Sequence, residues 1–161
     1  EENREASERA QKTADLALSS SDLATHRLNT LDDYEVGKSA TVYYSFDKVD
    51  LSDEARRKLD ALAQDIPSQK GYLIEVKGFA SADGDPEYNS LLSKKRAEAV
   101  VQYLIEHHYV DLRRVIAPYG FGEQHPVADN AIPEGRSMNR RVEVRVLVSR
   151  GLGDTAELKG M

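Results

Sequence analysis

Residues 1–33 contain neither Gly nor Pro, and beyond Gly37 the hydrophobic period switches repeatedly between that of a strand and that of a helix. Such a chain is constrained to a long helix followed by a small domain of alternating elements. The first stretch is rich in Ala, Glu, Leu and Arg, which favour helix. Ala10, Ala14, Ala17, Ser21, Ala24, Leu28 and Leu31 recur in alternating steps of four and three, a heptad seam of small residues that a partner helix can approach closely. Leu16, Leu18 and Leu23 widen the apolar face. Two readings stay open: an oligomerising stalk (a coiled coil and homo-oligomer through residues 1–35), and a helix that frays alone or packs on its own domain. The helix is expected to end near Asp32-Asp33.

Beyond it, Thr41–Phe46 is β-branched and aromatic and predicts a strand. Ser52 precedes a helical stretch whose Ala55, Leu59, Leu62, Ala63 and Ile66 share one face, with Pro67 as its stop. Tyr72–Phe79 predicts a second strand. After a Gly/Asp loop, Asp85 as N-cap and Pro86 at the first helical position open another helix. Tyr88, Leu91, Leu92, Ala99, Val100, Tyr103 and Leu104 are expected to carry that helix inward. Val115–Gly120 reads as a short third strand disturbed at Pro118, and Arg140–Val148 as the last, with alternating Val142, Val144, Val146 and Val148. The tail 151–161, with Gly151, Gly153 and Gly160, is expected to be flexible. The fold class is therefore α/β, a β-α-β-α-β-β pattern. It forms a small mixed four-stranded sheet covered by helices and preceded by an N-terminal helix. The domains run 1–35, 36–150 and 151–161.

Of the net charge of −6, residues 1–35 contribute nine acids and four bases, and the remainder is near neutral. That argues against a nucleic-acid surface. No apolar run reaches the roughly 18 residues of a membrane span. Absence of Cys excludes disulfides and thiolate metal sites. The chain opens on Glu1-Glu2-Asn3 without a basic, apolar signal, as expected of a mature or trimmed fragment. His26, His107, His108 and His125 form no metal-ligand spacing, and Gly120-Phe121-Gly122 lacks the third Gly and following helix of a dinucleotide loop. No nucleophile set or acid/base pair stands out. Neither an enzyme, a metal nor a cofactor is expected.

The segment Val42–Val148 resembles the OmpA-like (OmpA/MotB C-terminal) domain family. The resemblance is carried by Phe46-Asp47, Gly78 and Gly84, Tyr88-Asn89, Leu92-Ser93, Arg96-Ala97, Tyr103-Leu104, Gly120-Phe121-Gly122, Pro126, Asn130, Gly135-Arg136 and Asn139-Arg140-Arg141-Val142-Glu143. It implies non-covalent binding of peptidoglycan through the diaminopimelate of its stem peptide, in the periplasm, in association with the outer membrane. The free end of that side chain carries an ammonium and a carboxylate on one carbon. It calls for an acid and for the two-pronged donor of a guanidinium. In the family an Arg of the helix after the second strand supplies the donor, and it maps onto Arg96. Asn89 and Arg140 map onto further ligand-contacting positions. The family string Gly-His-Thr-Asp-x-x-Gly stands here as Gly78-Phe79-Ala80-Ser81-Ala82-Asp83-Gly84, so Ser81 occupies the acid position. Two accounts compete. Asp83 supplies the carboxylate from a shifted position with Ser81 hydrogen-bonding beside it, or the pocket is degenerate and the domain is a structural or protein-interaction module. From strand alternation, Arg140 and Arg141 point to opposite faces, one towards a pocket and the other solvated or ion-paired.

Overall fold

The computed structural model describes residues 2–64, 66 and 70–153. These divide into two compact units: residues up to Glu35 together with those from Ser149, and Val36–Val148. In the first unit, α1 (Glu2–Asn29) is exposed over almost its whole length. It ends four residues before Asp33, where the Thr30 hydroxyl and N–H both donate to the His26 carbonyl and close a turn. The short α5 (Arg150–Gly153) follows the last strand, and the Gly151 N–H donates to the Thr30 carbonyl. The tail expected to be flexible lies outside the described residues from 154 onward.

The second unit is built on β1 (Tyr34–Tyr43), β2 (Tyr72–Gly78), β3 (Tyr119–Gly120) and β4 (Arg141–Ser149), in the spatial order β1-β4-β2-β3. β2 runs antiparallel to β4, from Tyr72 opposite Val148 to Gly78 opposite Val142, and parallel to β3. The sheet is thus mixed. Along β2, Tyr72, Ile74, Val76 and Gly78 are buried while Leu73, Glu75 and Lys77 are half-buried, the alternation of a strand with helices on one face.

Those helices are α2 (Asp53–Ala63) and α3 (Pro86–His108), and α3 packs along β2 and β3. The Ser52 hydroxyl caps α2 by accepting from the Ala55 N–H, and Ala55, Leu59, Leu62 and Ala63 face inward. Ile66 is also buried, whereas the expected stop at Pro67 lies outside the described residues. The Asp85 carboxylate caps α3, accepting from the N–H groups of Glu87 and Tyr88. Val42, Leu59, Ile74, Val76, Val100, Leu104, Val142, Val144 and Val146 form the centre of one core.

Four expectations need correction. The first strand begins seven residues earlier than Thr41. As an edge strand with its first six residues exposed, it carries no burial pattern to announce it. On α3, Tyr88 and Leu91 are half exposed, and the inward stripe is Asn89, Leu92, Ser93, Arg96, Ala97, Val100, Val101 and Leu104. Polar residues occupy the inward face over the first turns, so the hydrophobic pattern misplaces it. Most of Val115–Gly120 is irregular, with one bridge from Val115 to Ile74 ahead of a two-residue strand. Pro118 has no N–H to extend the ladder. The helix α4 (Pro133–Asn139) is absent from the sequence reading because it is seven residues long and contains Gly135. That glycine is required there: a Cβ on it would lie 1.8 Å from the Asp129 carbonyl oxygen.

Candidate functional site

Four pieces of chain converge on one recess with about 280 Å³ of open space: the end of the first strand, the β2–α3 loop, the first turns of α3 and the end of α4. Its walls are Phe46, Asp47, Ala80, Ser81, Asp83, Tyr88, Asn89, Leu92, Arg96 and Arg140. All five residues singled out from sequence, namely Arg96, Asn89, Arg140, Ser81 and Asp83, lie in it. Asn89 and Arg96 are seven positions apart, two turns of one helix, and therefore share its inward face.

Arg96 is fully buried, a rare state for a guanidinium. Its Nε donates to the Lys48 carbonyl (2.8 Å) and its Nη2 to the Ser45 carbonyl (3.1 Å). The Tyr44 ring lies 5.0 Å from the guanidinium carbon, and the Tyr44 hydroxyl donates to the Arg96 carbonyl. Nη1 is buried and has no hydrogen-bond partner among the described residues. Burial pulls the Arg96 pKa down to about 10, and the neighbouring Arg140 cation adds to the fall, opposed by Tyr44, Asp47 and Tyr88. Burial likewise pushes the Tyr44 phenol up. The side chain is thus a desolvated cation with spare donor capacity, held rigid by two backbone carbonyls.

The Ser81 hydroxyl, itself buried, donates to Asp83 Oδ2 (2.7 Å). Asp83 Oδ1 lies 3.7 Å from Arg136 Nε. Asn89 spends its amide N–H groups on the Asp83 carbonyl (3.0 Å) and on Glu123 Oε2 (3.1 Å), so it holds the loop in place. Arg140 donates from Nε to the Tyr44 carbonyl and from Nη2 to Ser137 Oγ. Arg141, next in sequence, points elsewhere: it is buried 3.9 Å above the Phe79 ring and paired with Glu143 at 2.9 Å. The two arginines do part into a recess residue and an ion-paired one, but not by strand alternation: Arg140 is the C-cap of the helix before β4, which begins at Arg141.

The sequence reading did not single out two participants, Asp47 and Arg136, as site residues. Asp47, in the left-handed region at φ 53°, accepts a hydrogen bond from the Tyr88 hydroxyl, joining the loop after β1 to the first turn of α3. That carboxylate pushes the exposed Tyr88 phenol up. Arg136 stands behind Asp83. Asp47 and Arg136 both fall within the strings Phe46-Asp47 and Gly135-Arg136, but nothing in those strings says that a loop folds back against a helix. The finished recess holds two cations, Arg96 and Arg140, and two anions, Asp47 and Asp83. It is a charge-balanced site suited to a zwitterion, with one buried guanidinium nitrogen that has no hydrogen-bond partner among the described residues. Among the described residues no cluster of His, Cys, Asp or Glu could hold a metal, and no helix is long and apolar enough to cross a membrane.

Comparison with known proteins places this geometry in context. The sequence profile of the OmpA family matches residues 43–140. Outer membrane porin F of Pseudomonas aeruginosa is 38% identical over 105 residues, covering 65% of this chain and 30% of the porin. Peptidoglycan-associated lipoprotein of Pseudomonas putida is 35% identical over 105 residues, covering 65% of this chain and 61% of the lipoprotein. The crystal structure of the peptidoglycan-associated lipoprotein from Burkholderia pseudomallei superposes with a TM-score of 0.61 at 30% identity, covering 66% of this chain and 88% of that one. The matched stretch is thus less than two thirds of either curated relative. The profile spans more than half of the chain and takes in every wall of the recess, so this chain belongs to the OmpA family.

Proposed function

We propose that the chain binds peptidoglycan non-covalently through the free end of the stem peptide's diaminopimelate. In the periplasm it would tether the outer membrane or an envelope assembly to the cell wall. The observation that carries this reading is the buried Arg96 guanidinium, whose Nη1 has no acceptor among the described residues, in a recess of balanced charge. Leaving a buried donor unsatisfied costs about 1–3 kcal/mol, and more for a charged one, so a carboxylate from outside completes the set. Arg96 takes that carboxylate. Asp83, oriented by Ser81, takes the ammonium on the same carbon. Asn89 and Arg140 fix the walls. Two relatives are peptidoglycan-associated lipoproteins and a third is an outer membrane porin, which supports the ligand and the compartment.

A charge-assisted hydrogen bond contributes about 1.5–3 kcal/mol net, so one stem peptide binds weakly and wall retention depends on many contacts. Co-sedimentation with purified sacculi is the test. The wild type is retained, and Arg96→Lys, which keeps the charge and loses the fork, is retained at least about tenfold less. Equal sedimentation of the two would end this reading.

A second reading has an observation of its own. Both Asp83 oxygens and one Asp47 oxygen are already engaged by protein groups, as in a recess that has given up its ligand for a structural role. The chain would then be a structural or protein-interaction module with an oligomerising helix. Diaminopimelate titration separates the two: binding acquired only by Ser81→Asp favours the second.

A further inference from the structure

We propose that Arg136 is a built-in counter-ion that competes with the ligand's ammonium for Asp83 and so sets how strongly the recess prefers an amine-bearing carboxylate over a plain one. This rests on the diaminopimelate reading above and adds a specificity-determining residue to it. Asp83 lines the recess and Arg136 does not, yet the guanidinium stands 3.7 Å from Oδ1, on the side that Ser81 leaves open. At that distance the contact is Coulombic and too long for a hydrogen bond. An ammonium arriving from the recess at hydrogen-bonding distance would draw charge away from it without breaking a bond.

Arg136 is not free to swing away. Its Nη1 donates to the Asn130 carbonyl (3.0 Å), and Asn130 Oδ1 accepts from both the Ala82 N–H (3.1 Å) and the buried Asn139 amide (2.9 Å). The cation is therefore anchored to the same backbone that carries the Ser81–Asp83 loop. A positive charge behind Asp83, the acid of that loop that lines the recess, lowers its pull on a second cation. Arg96 and Arg140 already supply positive charge on the far wall, so the recess reads carboxylate strongly and ammonium weakly.

The test compares meso-diaminopimelate with pimelate, which has the same two carboxylates and chain length but no amines, by NMR or calorimetric titration of the full chain at low salt. Arg136→Gln is expected to tighten diaminopimelate roughly two- to fivefold, the scale of a partly exposed ion pair, and to leave pimelate unchanged. The gain shrinks at high salt. Arg136→Lys keeps the wild-type preference, and Asp83→Asn abolishes any difference between the two ligands. Should Arg136→Gln fail to fold, Arg136→Met, which removes the charge and keeps an unbranched stem, takes its place with the same expected tightening of diaminopimelate alone, and its failure to tighten overturns the proposal. The proposal is overturned if Arg136→Gln weakens both ligands together, which would make Arg136 a carboxylate reader or a fold support, or if it shifts neither. Equal diaminopimelate affinity in wild type and Arg136→Gln removes this inference alone. No diaminopimelate binding by wild type, Arg136→Gln or Ser81→Asp removes the underlying reading and this inference with it.

Discussion

Arg96 illustrates what a single position in this chain contributes and what it depends on. The side chain reaches the Ser45 and Lys48 carbonyls from a helix that packs closely on β2. That approach rests on Gly78. A Cβ there would stand 1.9 Å from the Ser93 carbonyl oxygen and 3.4 Å from Ala97 Cβ, one turn or less from Arg96. Gly78→Ala must therefore push α3 outward or bend β2. Such overpacking costs about 1–3 kcal/mol, and the backbone obstacle puts this case at the upper end. Urea unfolding is expected to show that loss together with weakened diaminopimelate binding, since Arg96 moves with its helix. Unchanged stability in Gly78→Ala would mean that the close approach is not required. The residue types were legible in the sequence at this scale: Arg96, Asn89 and Arg140 map onto the family strings and all three reach the recess. Their duties were not. Asn89 spends its amide on the loop and Glu123, and the desolvation of Arg96 depends on Tyr44 and Ser45, about fifty residues away in sequence.

The elements were legible wherever burial and capping agree. α2 and α3 carry an N-cap and an apolar stripe, and β2 and β4 alternate, so each announces itself. β1 and α4 do neither, one being an exposed edge and the other a short helix without a capping side chain. Contacts between elements are a further layer that periodicity does not encode. At the far end of α3, Tyr103 and His108 both reach across to Asp60 on α2, each at 2.7 Å from Oδ1, while His107 lies against the Tyr103 ring. The Tyr103 hydroxyl, then His108, hold the Asp60 carboxylate below its ordinary value of 3.8. A depressed carboxylate contributes stability that is present above its unfolded value and is lost as pH falls through the folded one. The pair is half exposed, so its contribution is modest. Asp60→Asn is expected to cost about 0.5 kcal/mol at neutral pH, with the gap from wild type closing as the pH drops below 3.8. Thermal melts over an acid series measure this; a gap that persists at the acid end would assign the loss to packing.

At the scale of the molecule, the apolar core is confined to one part of the sequence. Every residue of the core cluster, from Val42 to Val146, belongs to the unit Val36–Val148, and so does every wall of the recess. A domain of this length buries enough surface to fold alone. By contrast α1 offers Leu28 on its seam of small residues, and Leu16 and Leu18 flanking that seam, all more than half exposed. Most helical stability in proteins comes from packing an apolar face, so burying this one in a second copy is the change that would stabilise α1. The fragment 34–149 is therefore expected to melt within a few degrees of the full chain and to bind free diaminopimelate with the same affinity. Retention on whole sacculi tests more than affinity. If α1 associates, linked recesses engage neighbouring stem peptides and avidity multiplies a weak single contact. The full chain should then sediment with sacculi far better than the fragment, and ultracentrifugation should show concentration-dependent association only when residues 1–33 are present. Equal retention of fragment and full chain, with both monomeric, would assign wall binding to the isolated recess and leave α1 as a spacer.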